Sequence, residues 1–268
     1  ELIPLLKDYK VAPAYRKKVE KFNRDWDKQV EVVYNLNHGV PLSQGEVIGA
    51  VNNASAANDM VVNASGSLPG DLHKLWRTRN PKGFHLEYGY SCMGYEIAGG
   101  LGAKMADPSR DIYVMVGDGS YLMMSQEIIT SVQEKLKLII VLLNNNGFAS
   151  IGGLSKSLGT EGFGTKYVYR NDQSGLLEGQ TLPVDLAANA ASLGATVIKA
   201  ETIDDLKKAL KKAKTLPNTT VIYVETDLEH RLGGFAWWEV PVAETSSLPK
   251  VKKAFKQLHE HKSTQKYY

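Results

Sequence analysis

Two runs of uninterrupted apolar side chains, residues 112–116 and 138–143, constrain the fold of this chain more than any other feature. A strand with one wet face alternates in polarity; a strand apolar at every position must be covered on both faces, as in a parallel sheet between helices. Residues 122–134, between the two runs, have helical spacing, so the pair reads as a βαβ unit. Similar alternation flanks it. Residues 60–64, 84–88, 195–199 and 220–225 read as strands, and residues 45–58, 95–105, 186–193 and 206–213 as helices. The predicted fold is therefore α/β: a doubly wound, mostly parallel sheet of about six strands with helices on both faces. With 268 residues, 43% of them hydrophobic, the chain can bury one such core and carry appendages.

Several function classes are excluded or unsupported. The longest wholly apolar run is 138–143, far short of a membrane span. The net charge is +3, and the lysines at 207, 208, 211, 212 and 214 flank an apolar stripe of Leu206, Ala209, Leu210 and Ala213. That pattern is the solvated side of an amphipathic helix, and nothing supports nucleic-acid binding. The single Cys92 cannot form an internal disulfide, which suits a reducing, cytoplasmic location. Gly99-Gly100-Leu101-Gly102-Ala103 has the wrong spacing for a dinucleotide fingerprint and reads as close helix packing. The six histidines show no metal-binding spacing.

The ends of the two strongest strands carry the chemistry. The first runs into Gly117-Asp118-Gly119-Ser120 and the second into Asn144-Asn145-Asn146-Gly147-Phe148. Adjacent parallel strands place such ends side by side, where open α/β sheets bind ligands. A carboxylate between glycines, just before a helix, lets the backbone approach a bulky anion. Asp118, the Asn145 amide oxygen and a carbonyl exposed at Gly147 are hard oxygen ligands of the kind Mg²⁺ or Ca²⁺ takes, too few to fill an octahedron. The remaining positions suit phosphate oxygens and water, so the site reads as one where a divalent cation pins a diphosphate.

With Asp118 and Asn145 separated by 27 positions, GDGS followed by NNNG resembles the metal and cofactor motif of the thiamine-diphosphate enzymes. The resemblance covers roughly residues 45–225 and implies the diphosphate-binding domain of that family, with thiamine diphosphate and Mg²⁺ as cofactors. It implies Asp118, Asn145 and the Gly147 carbonyl as metal ligands. Gly117, Gly119, Ser120, Asn145, Gly147 and Phe148 would lie along the cofactor. Upstream, Gly89-Tyr90-Ser91-Cys92-Met93-Gly94-Tyr95 matches a second family stretch, in which Met93 wedges under the bent cofactor while the Met93 N–H and Ser91 carbonyl meet the aminopyrimidine. An unbranched, apolar, adaptable side chain suits that wedge.

Three stretches, 84–106, 117–159 and 232–246, are most similar to the branch of the family that hydrolyses a C–C bond in a trihydroxylated cyclohexane-1,2-dione during inositol catabolism. That resemblance implies a small cyclic 1,2-dione as substrate and a deoxy-uronic acid as product. Acetolactate-synthase-like enzymes and 2-oxoacid decarboxylases share the metal motif, and a non-catalytic nucleotide-binding α/β module is the alternative of another class. The glutamate that activates the cofactor in this family belongs to a pyrimidine-binding domain, usually from a second subunit, and no stretch here matches it. Glu127 and Glu134 read as surface carboxylates, so no catalytic residue is assigned in this chain. The expected partners are that N-terminal portion and a second subunit, in a homodimer or homotetramer.

The remaining expectations concern organisation and substrate. Residues 12–30, entered at Pro13, place Tyr15, Val19, Phe22 and Trp26 on one helical face. Residues 1–40 read as a helical connector from an upstream domain, 41–230 as the binding domain and 231–268 as a C-terminal arm and tail. The chain lacks an initiator Met and reads as a fragment or processed piece. Residues 65–70 read as a turn, 147–164 as a Gly-rich loop that orders on ligand binding or stays on the surface, and the lysine-rich tail from about Leu248, with little apolar periodicity after Phe255, as frayed. His38 and His85, near predicted strand ends, and His230 and Arg231, after the last strand, are candidates for substrate contact. Trp237 and Trp238 read as packing residues.

Overall fold

The computed structural model describes residues 2–227, 232 and 240–266. The short helix α1 (Leu2–Leu5) precedes α2 (Pro13–Tyr34), which begins at a proline. Only the end of α2 is buried, through Val30 and Tyr34, and the Tyr34 hydroxyl donates to the Leu75 carbonyl at 2.6 Å. The predicted stripe of Tyr15, Val19, Phe22 and Trp26 lies on the helix but is exposed. Helix α3 (Gln44–Ala54) opens with reciprocal capping: the Ser43 hydroxyl accepts the Glu46 N–H at 3.2 Å and donates to the Glu46 carboxylate.

Strand β1 (Met60–Asn63), helix α4 (Ser67–Leu75), strand β2 (Phe84–Leu86), helix α5 (Tyr95–Ala106) and strand β3 (Ile112–Gly117) follow. Helices α6 (Asp118–Met123) and α7 (Glu127–Gln133) lead to β4 (Ile139–Asn144), then α8 (Ala149–Ser157). The antiparallel hairpin β5 (Val168–Arg170) and β6 (Leu177–Thr181) stands apart from the main sheet. Helix α9 (Leu186–Ser192), β7 (Thr196–Ala200), α10 (Ile203–Thr215) and β8 (Thr220–Glu225) complete the domain, and α11 (Pro249–Ser263) follows.

Among the described residues the main sheet has six strands in the order β2-β1-β3-β4-β8-β7, and every pairing is parallel. Period-two geometry divides each central strand between two cores. Ile112, Val114 and Val116 face one cluster with Ile97, Leu101 and Ile128. Tyr113 and Met115 face the other, with Val47, Ile48, Leu72 and Leu210. The predicted fold class is thus observed, with helices on both faces. A Cβ on Gly100 would meet Val114 Cγ2 at 2.3 Å, so this glycine of α5 serves tight packing on the sheet, whereas a Cβ on Gly102 would meet open space.

Four local expectations are corrected. The single helix over 122–134 is two, because α6 starts at Asp118, directly off β3, and the backbone breaks at Met124 (φ −153°, ψ 58°). Residues 65–70 are a turn only as far as Gly66; α4 begins at Ser67 and buries Leu68, Leu72 and Leu75 at helical spacing. The Gly-rich stretch contains α8, whose glycines cost helix propensity but permit contact: a Cβ on Gly152 would lie 2.8 Å from Thr165 Oγ1. The tail from Leu248 does not fray but forms α11, entered at Pro249 and held by the buried Val251.

Candidate functional site

The strand order places the ends of β1, β3 and β4 side by side, and the chain reverses direction across the sheet between β1 and β3. Such a reversal opens a crevice at the carboxyl ends of the strands. A cavity of about 150 Å³ lies there, lined by Gln44, Ser65–Ser67, Tyr88 and the residues that follow β3 and β4. All of Ser91, Met93, Gly117, Asp118, Gly119, Ser120, Asn145, Gly147 and Phe148 line it. A larger cavity beside β7 and β8 has polar walls that satisfy one another, with Asn144 donating to the Tyr223 hydroxyl and that hydroxyl to Glu225.

Asp118 organises the first cavity. One carboxylate oxygen accepts the Gly119 N–H at 2.8 Å; the other accepts the Asn145 N–H at 3.2 Å and the Gly147 N–H at 3.0 Å. A single side chain at the tip of β3 thereby shapes the turn at the tip of β4. Asn146 adopts φ +59°, and the side-chain carbonyl oxygen of Asn144 accepts its N–H at 3.1 Å. Gly147 is required by close approach, since a Cβ there would lie 2.3 Å from the Thr165 carbonyl oxygen. Burial pushes the Asp118 carboxyl up to about 6, against the pull of the backbone N–H groups of Gly147, Gly119 and Asn145.

Two buried polar atoms beside Asp118 have no hydrogen-bond partner, the Asn145 Oδ1 and the Ser120 Oγ. Each such group costs about 1–3 kcal/mol unless something bound there satisfies it. A carboxylate next to an unsatisfied amide oxygen is a donor set for a hard cation, and Mg²⁺ commonly uses only one or two carboxylates and draws its other ligands from phosphate and water. No cluster of three or more His, Cys, Asp or Glu suited to a metal occurs among the described residues, so no competing protein-only centre is present there. The residues fit a cation shared with a diphosphate.

The opposite wall is built by the loop after β2. Ser91 adopts φ +53°, uncommon for a side-chain-bearing residue, and Glu87 braces it by accepting the N–H groups of Tyr90 at 3.1 Å and Cys92 at 2.8 Å. Those bonds hold the Glu87 carboxyl below its ordinary range. Met93 is half-buried, and its Cε would lie 3.2 Å from a Cβ placed on Gly119. Phe148 would crowd the same Cβ at 2.8 Å, so Gly119 lies between the two apolar side chains.

The histidine candidates fall elsewhere. His38 Nε2 lies 3.0 Å from Asp227, and His85 Nε2 lies 2.8 Å from the Tyr95 hydroxyl; neither lines the cavity. His230, Arg231, Trp237 and Trp238 lie outside the described residues. Glu127 is half-buried and Glu134 exposed. Sequence reasoning missed Gln44 and the Ser65-Gly66-Ser67 loop as cavity walls. The available signal was the position of that loop at the end of a predicted strand.

The family model for the C-terminal TPP-binding domain of thiamine pyrophosphate enzymes matches residues 64–224. Over 240 residues the chain is 41% identical to 3D-(3,5/4)-trihydroxycyclohexane-1,2-dione hydrolase 2 of Bacillus cereus, covering 87% of this chain and 37% of that protein. The hydrolase of the same name from Bacillus anthracis is 40% identical over 235 residues, with 87% and 36% covered. The chain thus spans little more than a third of the length of these relatives. Among solved structures, the thiamine diphosphate-dependent 4-hydroxybenzoylformate decarboxylase of Rhodococcus jostii RHA1 superposes with a TM-score of 0.59 at 22% identity, over 70% of this chain and 33% of that one. Benzoylformate decarboxylase from Polynucleobacter necessarius gives 0.58 at 24% identity, over 72% and 34%. At these identities the superpositions establish the shared fold.

Proposed function

Because the chain belongs to the thiamine pyrophosphate enzymes and carries their C-terminal TPP-binding domain, we propose that it supplies the diphosphate- and metal-binding half of a C–C bond hydrolase. The proposed substrate is 3D-(3,5/4)-trihydroxycyclohexane-1,2-dione, opened to 5-deoxy-glucuronate in inositol catabolism. The names of the relatives at 40–41% identity support this substrate. The single observation that carries the cofactor reading is the unsatisfied, buried Asn145 Oδ1 beside the Asp118 carboxylate.

The Asp118 carboxylate, the Asn145 amide oxygen and the Gly147 carbonyl would hold Mg²⁺. The Ser120 hydroxyl, buried and unpartnered, is the group left to meet a diphosphate oxygen. Met93, propped by the Glu87-braced loop, would support the cofactor rings, and the Ser91 carbonyl would receive the aminopyrimidine. Bound thiamine diphosphate supplies the electron sink for carbon–carbon cleavage. The chain's own residues would bind and orient it.

The cavity is well below the roughly 300–1,000 Å³ of complete small-molecule pockets, which supports half a site closed by another portion of protein. Residues 1–40 would connect to a pyrimidine-binding portion, residues 41–230 would form this domain and residues 231–268 a C-terminal arm, with His230 and Arg231, where the two meet, reaching substrate. His38 and His85 stand as further substrate contacts only if closure of the site brings them in. A homodimer or homotetramer would complete the site. The exposed, unbridged Cys92 suits a cytoplasmic location, and no described helix is long and apolar enough to cross a membrane.

The test is turnover of the dione by the natively expressed protein with thiamine diphosphate and Mg²⁺. Ring opening is the expected result. Decarboxylation of a 2-oxo acid with no ring opening would overturn the substrate, and a preference for ATP or NAD over thiamine diphosphate would overturn the cofactor.

A further inference from the structure

Glu96 is a carboxylate where the fold has little use for one. It is the second residue of α5, 1% exposed, and does not line the cavity. Burying a carboxyl is costly unless its oxygens are satisfied, and the partners of Glu96 are specific. One oxygen accepts the Ser65 N–H at 3.3 Å, from the loop after β1; the other accepts the Gly94 N–H at 3.1 Å, from the turn that carries Met93. Burial holds the Glu96 carboxyl above its ordinary range, and the nearby Ser120 hydroxyl, on the first turn of α6, pulls the other way without forming a hydrogen bond to it. Ser65, Met93 and Ser120 all line the cavity.

Folding the side chain back onto the N-cap amide resembles a capping box. Capping alone would use one oxygen on its own helix, whereas the second reaches an amide 31 residues away. Gly94, at φ +93°, leaves no room for a stiffer turn: a Cβ there would lie 2.9 Å from the Cβ of Met124. The Met93 turn is thus held by one carboxylate behind the wall and by Glu87 in front of it.

We infer that Glu96 is a positioning residue that ties the loop after β1 to the Met93 turn, shaping the part of the site that meets the thiamine rings. The diphosphate grip is organised separately, by the hydrogen bonds of Asp118 to Gly119, Asn145 and Gly147. The inference rests on the reading that Met93 supports the cofactor rings.

Glu96→Gln keeps the size of the side chain but turns an NH₂ toward one of two N–H donors. In the natively expressed protein, calorimetric titration at saturating Mg²⁺ compares thiamine diphosphate with inorganic diphosphate. The expected result is at least tenfold weaker thiamine diphosphate binding, with inorganic diphosphate within about twofold of wild type. General loss of structure lowers the fraction able to bind and leaves the ratio of the two affinities unchanged. Should Glu96→Gln not fold, Glu96→Asp, which keeps the charge and retracts it by one methylene, reads out the same ratio. Equal losses for both ligands, or none for either, would overturn the inference while leaving the cofactor reading intact. Wild type that binds inorganic diphosphate but not thiamine diphosphate would overturn both.

Discussion

Asp118 carries two burdens, buried charge and the organisation of a neighbouring turn, and they give its ionisation a definite sign. Burial lifts its carboxyl from an ordinary 3.8 to about 6, so between about pH 4 and pH 6 the unliganded native state holds a proton that the unfolded state has released. Stability of the metal-free protein therefore declines as pH rises from about 4 to about 6, by on the order of 3 kcal/mol from this group. Urea unfolding of wild type against Asp118→Asn in EDTA, at pH 4.5 and pH 7.5, isolates that contribution; identical pH dependence in the two proteins would contradict it. Mg²⁺ must displace the same proton, so its affinity is level above about pH 6 and falls roughly tenfold per unit below it.

The residues at this scale differed in legibility. Asp118 and Asn145 were readable because a carboxylate between glycines and an amide after an apolar strand are rare pairings at strand ends. Glu96 was not, since a glutamate near the start of a helix ordinarily marks a solvated first turn. Its role depends on an amide far away in sequence, and no local pattern encodes that meeting.

At the level of elements, the turn after β4 is the tightest piece of construction. Gly147 runs against the Thr165–Lys166 backbone, and its N–H also serves Asp118. Gly147→Ala has only backbone to push against, so it should cost at least ~2 kcal/mol, a fall in melting temperature of several degrees. Melting temperature follows it directly, and an unchanged value would mean the approach is looser than described. The central strands β3 and β4 were legible because their apolar runs are continuous, and the flanking strands because similar alternation with helices surrounds that pair. Helices α8 and α11 were not, because glycine and lysine content suggested loop and tail. Their formation is decided by contacts of Gly152 with Thr165 and by burial of Val251, which composition does not record.

For the whole molecule, α2 leaves an apolar stripe exposed, and the chain spans little more than a third of the length of the relatives it matches. We expect the 268-residue chain by itself to bind thiamine diphosphate at least tenfold more weakly than the natively expressed enzyme, and to open no dione ring. Calorimetry and a turnover assay on the purified chain check this; full activity from the chain alone would contradict it. The domain reading came from the two motifs, whereas the exposure of Tyr15, Phe22 and Trp26 emerged only once α2 was seen to bury just its last turns.

The most direct measurement is the anomalous scattering of Mn²⁺ in crystals grown with thiamine diphosphate. One strong peak is expected within roughly 2.0–2.3 Å of a carboxylate oxygen of Asp118, the side-chain oxygen of Asn145 and the Gly147 carbonyl oxygen. A bound cofactor with its metal peak remote from either Asp118 or Asn145 would contradict it.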